Sequence, residues 1–507
     1  MQSETLSPPT SLGIHDSQWT LDPAPLASWR NPRPAGKYNL VILGGGPAGI
    51  LAAQAAAGWG AKVALIERNR LGGTCLNTGC IPSKTIIRTS RLYADMRNAE
   101  AFGAHAPKTI TVDFAAAMTR TRHVRARLSR SVSAEILSAA GIDVYFGAAR
   151  FAGRNAVVVA GETLRFKKAL IATGARPLIP SIPGLAEARY LTHESVFDLT
   201  ECPQRLLVIG GGPLGCEMAQ AFCRFGSQVT IVQKEPMFLR QEERDAAQIL
   251  SDSFARDGID VRLNTEVLRV RKEGTEMLVD LVNDDYTSTV AVDHILVGIG
   301  RSPNVQSIGL ETAGVRYHTD DGVQINDFLQ TTNSNIYAAG DVCLEHKFMH
   351  IEDASARIVV RNALFWGRER VSALTIPWCT YTDPEIAHVG MYVREATRGG
   401  IPVKTFTIPM HDVDRAVADG EEEGFVKIHV KEGTDIIVGA TVVARHAGEI
   451  INNISLAICS HIGLRRLSRV IYPYPTQAAA IKMAADSYNM PRWTPARRWL
   501  LRRWLAW

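Results

Sequence analysis

Two stretches of this chain carry the same succession of apolar runs and glycine turns. In the first, Leu40-Val41-Ile42-Leu43 is an unbroken apolar run of strand length. Gly44-Gly45-Gly46-Pro47-Ala48-Gly49 then turns into an alanine-rich segment ending near Trp59-Gly60, and Lys62-Val63-Ala64-Leu65-Ile66-Glu67 follows. The run predicts a buried strand, the alanine-rich segment a helix, and the last stretch a second strand. In the second copy Leu206-Leu207-Val208-Ile209 leads into Gly210-Gly211-Gly212-Pro213-Leu214-Gly215, a helix to about Phe225-Gly226, and Gln228-Val229-Thr230-Ile231-Val232. From the first glycine to the residue ending the second strand is 23 positions in both, at Glu67 and at Gln233.

Elsewhere the pattern changes. Short alternating strands such as Ala156-Val157-Val158-Val159 and Ala169-Leu170-Ile171-Ala172 lie between the copies, with glycine-marked crossings at Thr173-Gly174 and Gly298-Ile299-Gly300. These crossings place the second βαβ unit as an insertion in the first domain. From about Ile376 to Met490 strands with charged turns precede an apolar helix around Asn452 to Ile462, as expected of a third, interface-forming domain. The fold class is α/β, with two Rossmann-like dinucleotide-binding domains and an α+β carboxy-terminal domain. Residues 1–37 hold six prolines and little periodicity, which reads as a flexible leader with order beginning at Tyr38.

Length and composition narrow the function classes. A chain of 507 residues exceeds a single core, and 46% hydrophobic with 21% charged residues is ordinary for a soluble globular protein. No window approaches a spanning helix and the start lacks a signal-peptide pattern, so a cytoplasmic protein is expected. The net charge of +5 is matched by Arg492, Arg497, Arg498, Arg502 and Arg503 in an acid-free final segment; without them the balance is zero. A nucleic-acid-binding body is not indicated.

A GxGxxG turn uses its first glycine for backbone geometry, its second to admit a pyrophosphate, and its third to pack helix on strand. Gly44, Gly46 and Gly49 fill these places in one copy, and Gly210, Gly212 and Gly215 in the other. Strand before and helix after supply the confirming context. Glu67 can accept the hydroxyls of a ribose diol, whereas Gln233 followed by Lys234 leaves no carboxylate to repel a 2'-phosphate, which favours NADPH over NADH at the second site. The alternative for Lys234 is a solvated surface lysine.

Eight cysteines fit neither a disulfide scaffold nor a zinc finger. Only Cys75 and Cys80, in Gly72-Gly73-Thr74-Cys75-Leu76-Asn77-Thr78-Gly79-Cys80-Ile81-Pro82-Ser83-Lys84, look paired; Cys202, Cys216, Cys223, Cys343, Cys379 and Cys459 read as buried small hydrophobes.

With the phosphate loops and this pair, Ala172-Thr173-Gly174, Gly298 to Asn304, Ile336-Tyr337-Ala338-Ala339-Gly340-Asp341 and Tyr381 to Gly390 complete a set over residues 38 to 488. The set resembles the flavin-dependent pyridine nucleotide-disulfide oxidoreductases, which include dihydrolipoamide dehydrogenase, glutathione reductase and mercuric reductase. The resemblance implies FAD at the first site, held by Gly73, Thr74, Lys84, Thr173, Gly174 and, on the ribityl-pyrophosphate portion, Asp341, with Gly300 a further cofactor-binding residue. It implies a nicotinamide nucleotide at the second site and a homodimer whose active site the partner subunit completes. The domains then fall at 38–180 (FAD, first part), 181–302 (NAD(P)H), 303–374 (FAD, second part) and 375–490 (dimerisation). Cys80 would be the thiolate beside the flavin, Cys75 the outer thiol that meets substrate, and Lys84 with Glu217 the ion pair near the flavin N5. A thiol at a helix start near a cation ionises more readily.

One departure narrows the substrate. Family members that reduce organic disulfides carry His-Pro-x-x-x-Glu, where this chain reads Tyr474-Pro475-Thr476-Gln477-Ala478-Ala479. A histidine near ~6.5 shuttles protons at neutral pH and a tyrosine near ~10 does not. Mercuric reductase, by resemblance, has tyrosine there and a second one before the nucleotide loop, which falls here at Tyr190; a half-buried loop aromatic is the other reading of Tyr190. Two thiolates suit a soft cation, so Hg(II) held transiently by Cys75 and Cys80 and reduced to Hg(0) is the expected reaction. No cysteine precedes Cys75 or follows Cys459, so the metal-carrying cysteines of that enzyme have no counterpart here, and a different soft acceptor or a disulfide is the alternative. A flavin redox sensor or membrane-associated partner is the reading outside enzymology.

The tail adds one candidate contact. Thr494 and Pro495 suit a helix start, after which Ala496, Leu500, Trp504 and Trp507 share a face opposite Arg498 and Arg502. Four of nine tryptophans lie between Trp493 and Trp507, a composition suited to peripheral contact with an anionic membrane, or to docking on its own dimer.

Overall fold

The computed structural model describes residues 29–490, apart from 35, 108, 189, 275 and 285, together with 495–506. Most of the expected leader (1–28), Trp493, the expected cap Thr494 and Trp507 lie outside the described residues. The leader reading is corrected at its end. Trp29 Nε1 donates to Val144 O at 3.2 Å, and the Asn31 amide pairs with the Phe146 backbone in both directions, at 2.9 and 2.8 Å. Order therefore begins before Tyr38, because these side chains satisfy a sheet edge that would otherwise be unpaired.

The first domain is built on β1 (Tyr38–Leu43), α1 (Pro47–Gly58), β2 (Val63–Glu67), α2 (Gly73–Asn77), α3 (Cys80–Arg97), β3 (Ile142–Phe146) and β4 (Glu162–Ile171). The strands run β3-β2-β1-β4 in parallel, and Ala156–Val159 and Ala149–Gly153 continue the sheet antiparallel. The apolar run of β1 is buried on both faces, as a central parallel strand requires.

The second βαβ unit comes next in sequence: β5 (Arg205–Ile209), α4 (Pro213–Phe225), β6 (Gln228–Val232), β7 (Asp260–Arg262) and β8 (His294–Val297) form a parallel sheet in the order β7-β6-β5-β8. The chain then returns to the first sheet, where β9 (Ile336–Ala338) pairs with β4 through Ile336↔Ala169. The nucleotide domain is thus inserted in the flavin-type domain. Helix α5 (Met349–Leu364) packs on α1.

The third domain has its own core. β10 (Pro377–Thr380), β11 (Glu385–Gly390), β12 (Val403–Pro409), β13 (Phe425–Lys431) and β14 (Ile437–Ala444) form an antiparallel sheet ordered β10-β11-β14-β13-β12. The apolar helix α6 runs Ala447–Cys459 rather than 452 to 462, because Glu385 on β11 accepts the Gly448 N–H at 3.1 Å and starts the helix early. Cys459 at its end is exposed, not buried as expected. The tail forms α8 (Pro495–Leu505), after α7 (Ala479–Asn489). No helix among the described residues is long and apolar enough to cross a membrane.

Candidate active site

The two glycine turns are built alike. A Cβ on Gly49 would lie 1.8 Å from Gly44 O, and one on Gly215 would lie 2.0 Å from Gly210 O, so each helix can approach its turn only without a side chain. Glu67 Oε2 accepts the Gly45 N–H at 2.7 Å, and Gln233 Oε1 accepts the Gly211 N–H at 2.6 Å. The two strand-end residues therefore fix the same backbone atom in each loop. Burial raises the Glu67 carboxyl above the ordinary range, against the lowering effect of the Asn69 and Gly45 N–H groups.

The second site carries more charge than its sequence suggests. The Gln233 amide donates to the Glu235 carboxylate, and Lys234 Nζ lies exposed, 3.1 Å from Glu266. A carboxylate does stand beside the strand end, and the cation expected to meet a 2'-phosphate is paired elsewhere.

The first turn opens on a cavity of about 1050 Å³, the largest size expected of a ligand pocket. Its walls include Gly44, Gly46, Glu67, Thr74, Thr173 and Asp341. Gly73 (φ +56°) packs on Gly46, and a Cβ there would lie 2.6 Å from Gly46 Cα. Thr173 and Gly174 are tied to Asn304 by hydrogen bonds of 2.8 to 2.9 Å, which joins the two glycine-marked crossings. Gly300 (φ +126°) turns the chain into Arg301. Arg301 holds Asp341 Oδ2 at 2.5 Å, while Asp341 Oδ1 is buried without a partner among the described residues.

Near this cavity lies the sulfur pair. Cys75 is on α2, whose position is fixed by Asn77 Nδ2 donating to Leu71 O and Gly73 O, and Cys80 opens α3. Both are free thiols, Cys80 exposed and Cys75 half-buried, and they hydrogen-bond to each other. That bond pushes Cys75 up and holds Cys80 down at about 7, with the Lys84 ammonium adding to the lowering and burial opposing it. Of the two sulfurs, Cys80 is the one held toward the thiolate and Cys75 the one held toward the thiol.

Lys84 Nζ lies 2.8 Å from Glu217 Oε2 on α4 and 4.5 Å over the Tyr381 ring. Burial opposes the charge on Lys84, but the adjoining carboxylate more than offsets it and the ammonium is held above its usual range. Glu217 also accepts the Tyr381 N–H at 2.9 Å, and Gln220 exchanges hydrogen bonds with the Asp383 backbone. All three domains meet at this carboxylate. Arg301 and Tyr381, which lie in the motifs quoted above, carry no chemical signal in the sequence that marks them, and only the contacts with Asp341 and Glu217 bring them into the site.

Two expected site residues lie elsewhere in this chain. Tyr190 packs half-buried against the nucleotide-domain core. Tyr474 is 80% exposed on the third domain, and its hydroxyl donates to Asp414 Oδ2 at 2.9 Å.

The sequence profile described as pyridine nucleotide-disulphide oxidoreductase matches residues 38–357, and that of its dimerisation domain matches 376–485. The chain belongs to this family. Among family members, it is 33% identical to a mercuric reductase of Staphylococcus aureus over 90% of this chain and 83% of that one. It is 32% identical to a dihydrolipoyl dehydrogenase of Chlamydia muridarum over 87% and 94%. In structure it matches the HOCl-induced flavoprotein disulfide reductase RclA of Escherichia coli with a TM-score of 0.80 and 28% identity, over 89% of this chain and 99% of that one.

The family uses FAD and a pyridine nucleotide, and the residues present fit FAD. The glycine turn keeps side chains out of the space before α1, and among the described residues the buried Asp341 Oδ1 has no donor and can accept from a hydroxyl.

Proposed function

We propose that this chain is an NADPH-dependent, FAD-containing oxidoreductase that reduces Hg(II) to Hg(0) through the Cys75/Cys80 pair. The observation that carries the reading is Cys80 beside the Lys84–Glu217 pair, together with a tyrosine at position 474 where disulfide reductases present histidine. Glu67, Gly46, Gly73, Thr74, Gly174 and Asp341 would hold FAD, which supplies the two-electron connection between nicotinamide and sulfur. Gly210, Gly212, Gly215 and Gln233 would hold the nucleotide.

The chain's own chemistry follows from its sulfurs. Cys75 and Cys80 bind the soft cation as thiolates, releasing the proton they share. Two electrons from the pair reduce Hg(II) to Hg(0), and the sulfurs become a disulfide. Lys84 keeps its proton throughout, because Glu217 stabilises the ammonium, and so maintains a positive field at Cys80. In a homodimer Tyr474 of one subunit would face the sulfurs of the other and serve as a hydroxyl donor by turning from Asp414, to which it donates in the single chain.

Steady-state NADPH oxidation by the purified protein tests this against Hg(II) with excess thiol, Cu(II), lipoamide and glutathione disulfide. Cu(II) belongs in the panel because RclA has been solved as a Cu(II) complex. Hg(II) is expected to outpace both disulfides, with Cys80→Ser abolishing turnover. Rapid lipoamide turnover would overturn the use of Tyr474, and a single oxidation event per flavin would make the protein a redox sensor.

The α8 tail supports peripheral membrane contact. Trp499, Leu500, Trp504 and Leu505 are exposed, and the Arg503 guanidinium stacks 5.3 Å from the Trp499 ring. Co-sedimentation with anionic liposomes should be lost in a chain ending at Pro491; equal pelleting of both forms ends this reading.

A further inference from the structure

Glu352 stands in the wall of the large cavity, on the first turn of α5, and no role described so far uses it. The missing side chain of Gly340 brings it there: a Cβ at that glycine would be 3.2 Å from Glu352 Cγ and 3.5 Å from Ala48 Cβ. The carboxyl therefore faces the start of α1, with the Ala48 N–H directed at it. That helix end is where the diphosphate of a dinucleotide docks.

A charge conflict follows. Asp341 lies next to Gly340 and is ion-paired with Arg301 at 2.5 Å. Glu352 has no ion-pairing cation among the described residues. Two like charges ~4 Å apart repel by about 4 kcal/mol at an effective dielectric of ~20, so a diphosphate docked beside both carboxyls favours protonation of the one that lacks a cation. The groups facing Glu352 are Asp341, Arg301 from the strand Arg301–Pro303, Cys80 from α3 and Cys75 from α2, while α1 offers only backbone. Burial, then Asp341, already push the Glu352 carboxyl well above the ordinary range, against the pull of Arg301.

We propose that Glu352 closes the flavin site as a neutral acid, so that FAD binding takes up a proton on the Glu352 carboxyl wherever that carboxyl is ionised in the flavin-free protein. The proposal rests on the reading of the cavity as the FAD site. Its sign is fixed by linkage. Affinity is highest where the carboxyl is protonated before and after binding, falls about tenfold per pH unit between the two pKa values, and levels off above both.

Full-length holoenzyme diluted into buffers from about pH 6 to about pH 9 gives Kd from the flavin fluorescence released, and calorimetry of rebinding in buffers of different ionisation enthalpy counts the protons. The wild-type chain should lose affinity ~tenfold or more across the range and take up close to one proton per FAD. Glu352→Gln, which keeps the neutral shape, should change less than ~threefold and take up none. A flat wild-type profile without proton uptake overturns the proposal, as does a Glu352→Gln profile as steep as the wild type. A chain that binds no FAD at any pH overturns the flavin reading itself, which keeps the two failures apart.

Discussion

Lys84 and Glu217 are 133 residues apart in sequence, and their side chains meet at 2.8 Å. The contact exists because α3 packs along α4, with Ile86, Phe222 and Phe225 in one core and Tyr93 edge-on to Phe225. The loop before β11 then covers the carboxylate from the third domain. Glu217→Ala should destabilise the protein by about 2–4 kcal/mol, since it strands a partly buried ammonium and the Tyr381 N–H together. Glu217→Gln retains an acceptor for that N–H and should cost less. Denaturant titration of the pair checks this, and equal losses would mean that the charge of Glu217 is not what holds the contact.

The Cys80 thiol, lowered to about 7 by Cys75 and Lys84, sets a pH profile. Alkylation of the reduced protein by iodoacetamide should be fast above about pH 7 and fall about tenfold per unit below it, because only the thiolate attacks. Lys84→Met should move the midpoint upward, and Cys80→Ser should remove the fast phase. A fast phase that survives Cys80→Ser would assign the thiolate to Cys75.

The two glycine turns can be separated by one methyl group each. Gly49→Ala places a Cβ 1.8 Å from the Gly44 carbonyl, and Gly215→Ala places one 2.0 Å from that of Gly210. The first variant should purify with little flavin. The second should keep its flavin, read by absorbance, yet lose nucleotide affinity about tenfold or more, as a displaced phosphate contact implies. Flavin loss from Gly215→Ala alone would reverse the assignment of the sites.

The Gln233 amide donates to Glu235, and Lys234 is paired with Glu266, so both residues are expected to bear on nucleotide preference. Glu235→Gln removes the acid nearest the strand end and should raise kcat/KM for NADPH relative to NADH by about tenfold, equivalent to ~1.4 kcal/mol. An unchanged ratio would place the discriminating group elsewhere.

Local chemistry carried much of this protein in its sequence. The apolar runs of β1 and β5, followed by glycine turns and alanine-rich or apolar segments, read as buried strands leading into helices, and Cys75 with Cys80, in its glycine-rich setting, stood out as the expected redox pair. Those signals act over a few residues, through backbone sterics and side-chain period, so they survive without knowledge of neighbours. Tertiary structure decided what depends on faces meeting. It drew Asn31 onto the edge of β3, began α6 at Ala447 through Glu385, turned Lys234 toward Glu266, and set Glu352 over Gly340 beside Asp341. Each of these is an electrostatic or hydrogen-bond match between residues far apart in the chain. Such matches are short-ranged in space and leave no periodic trace along the sequence.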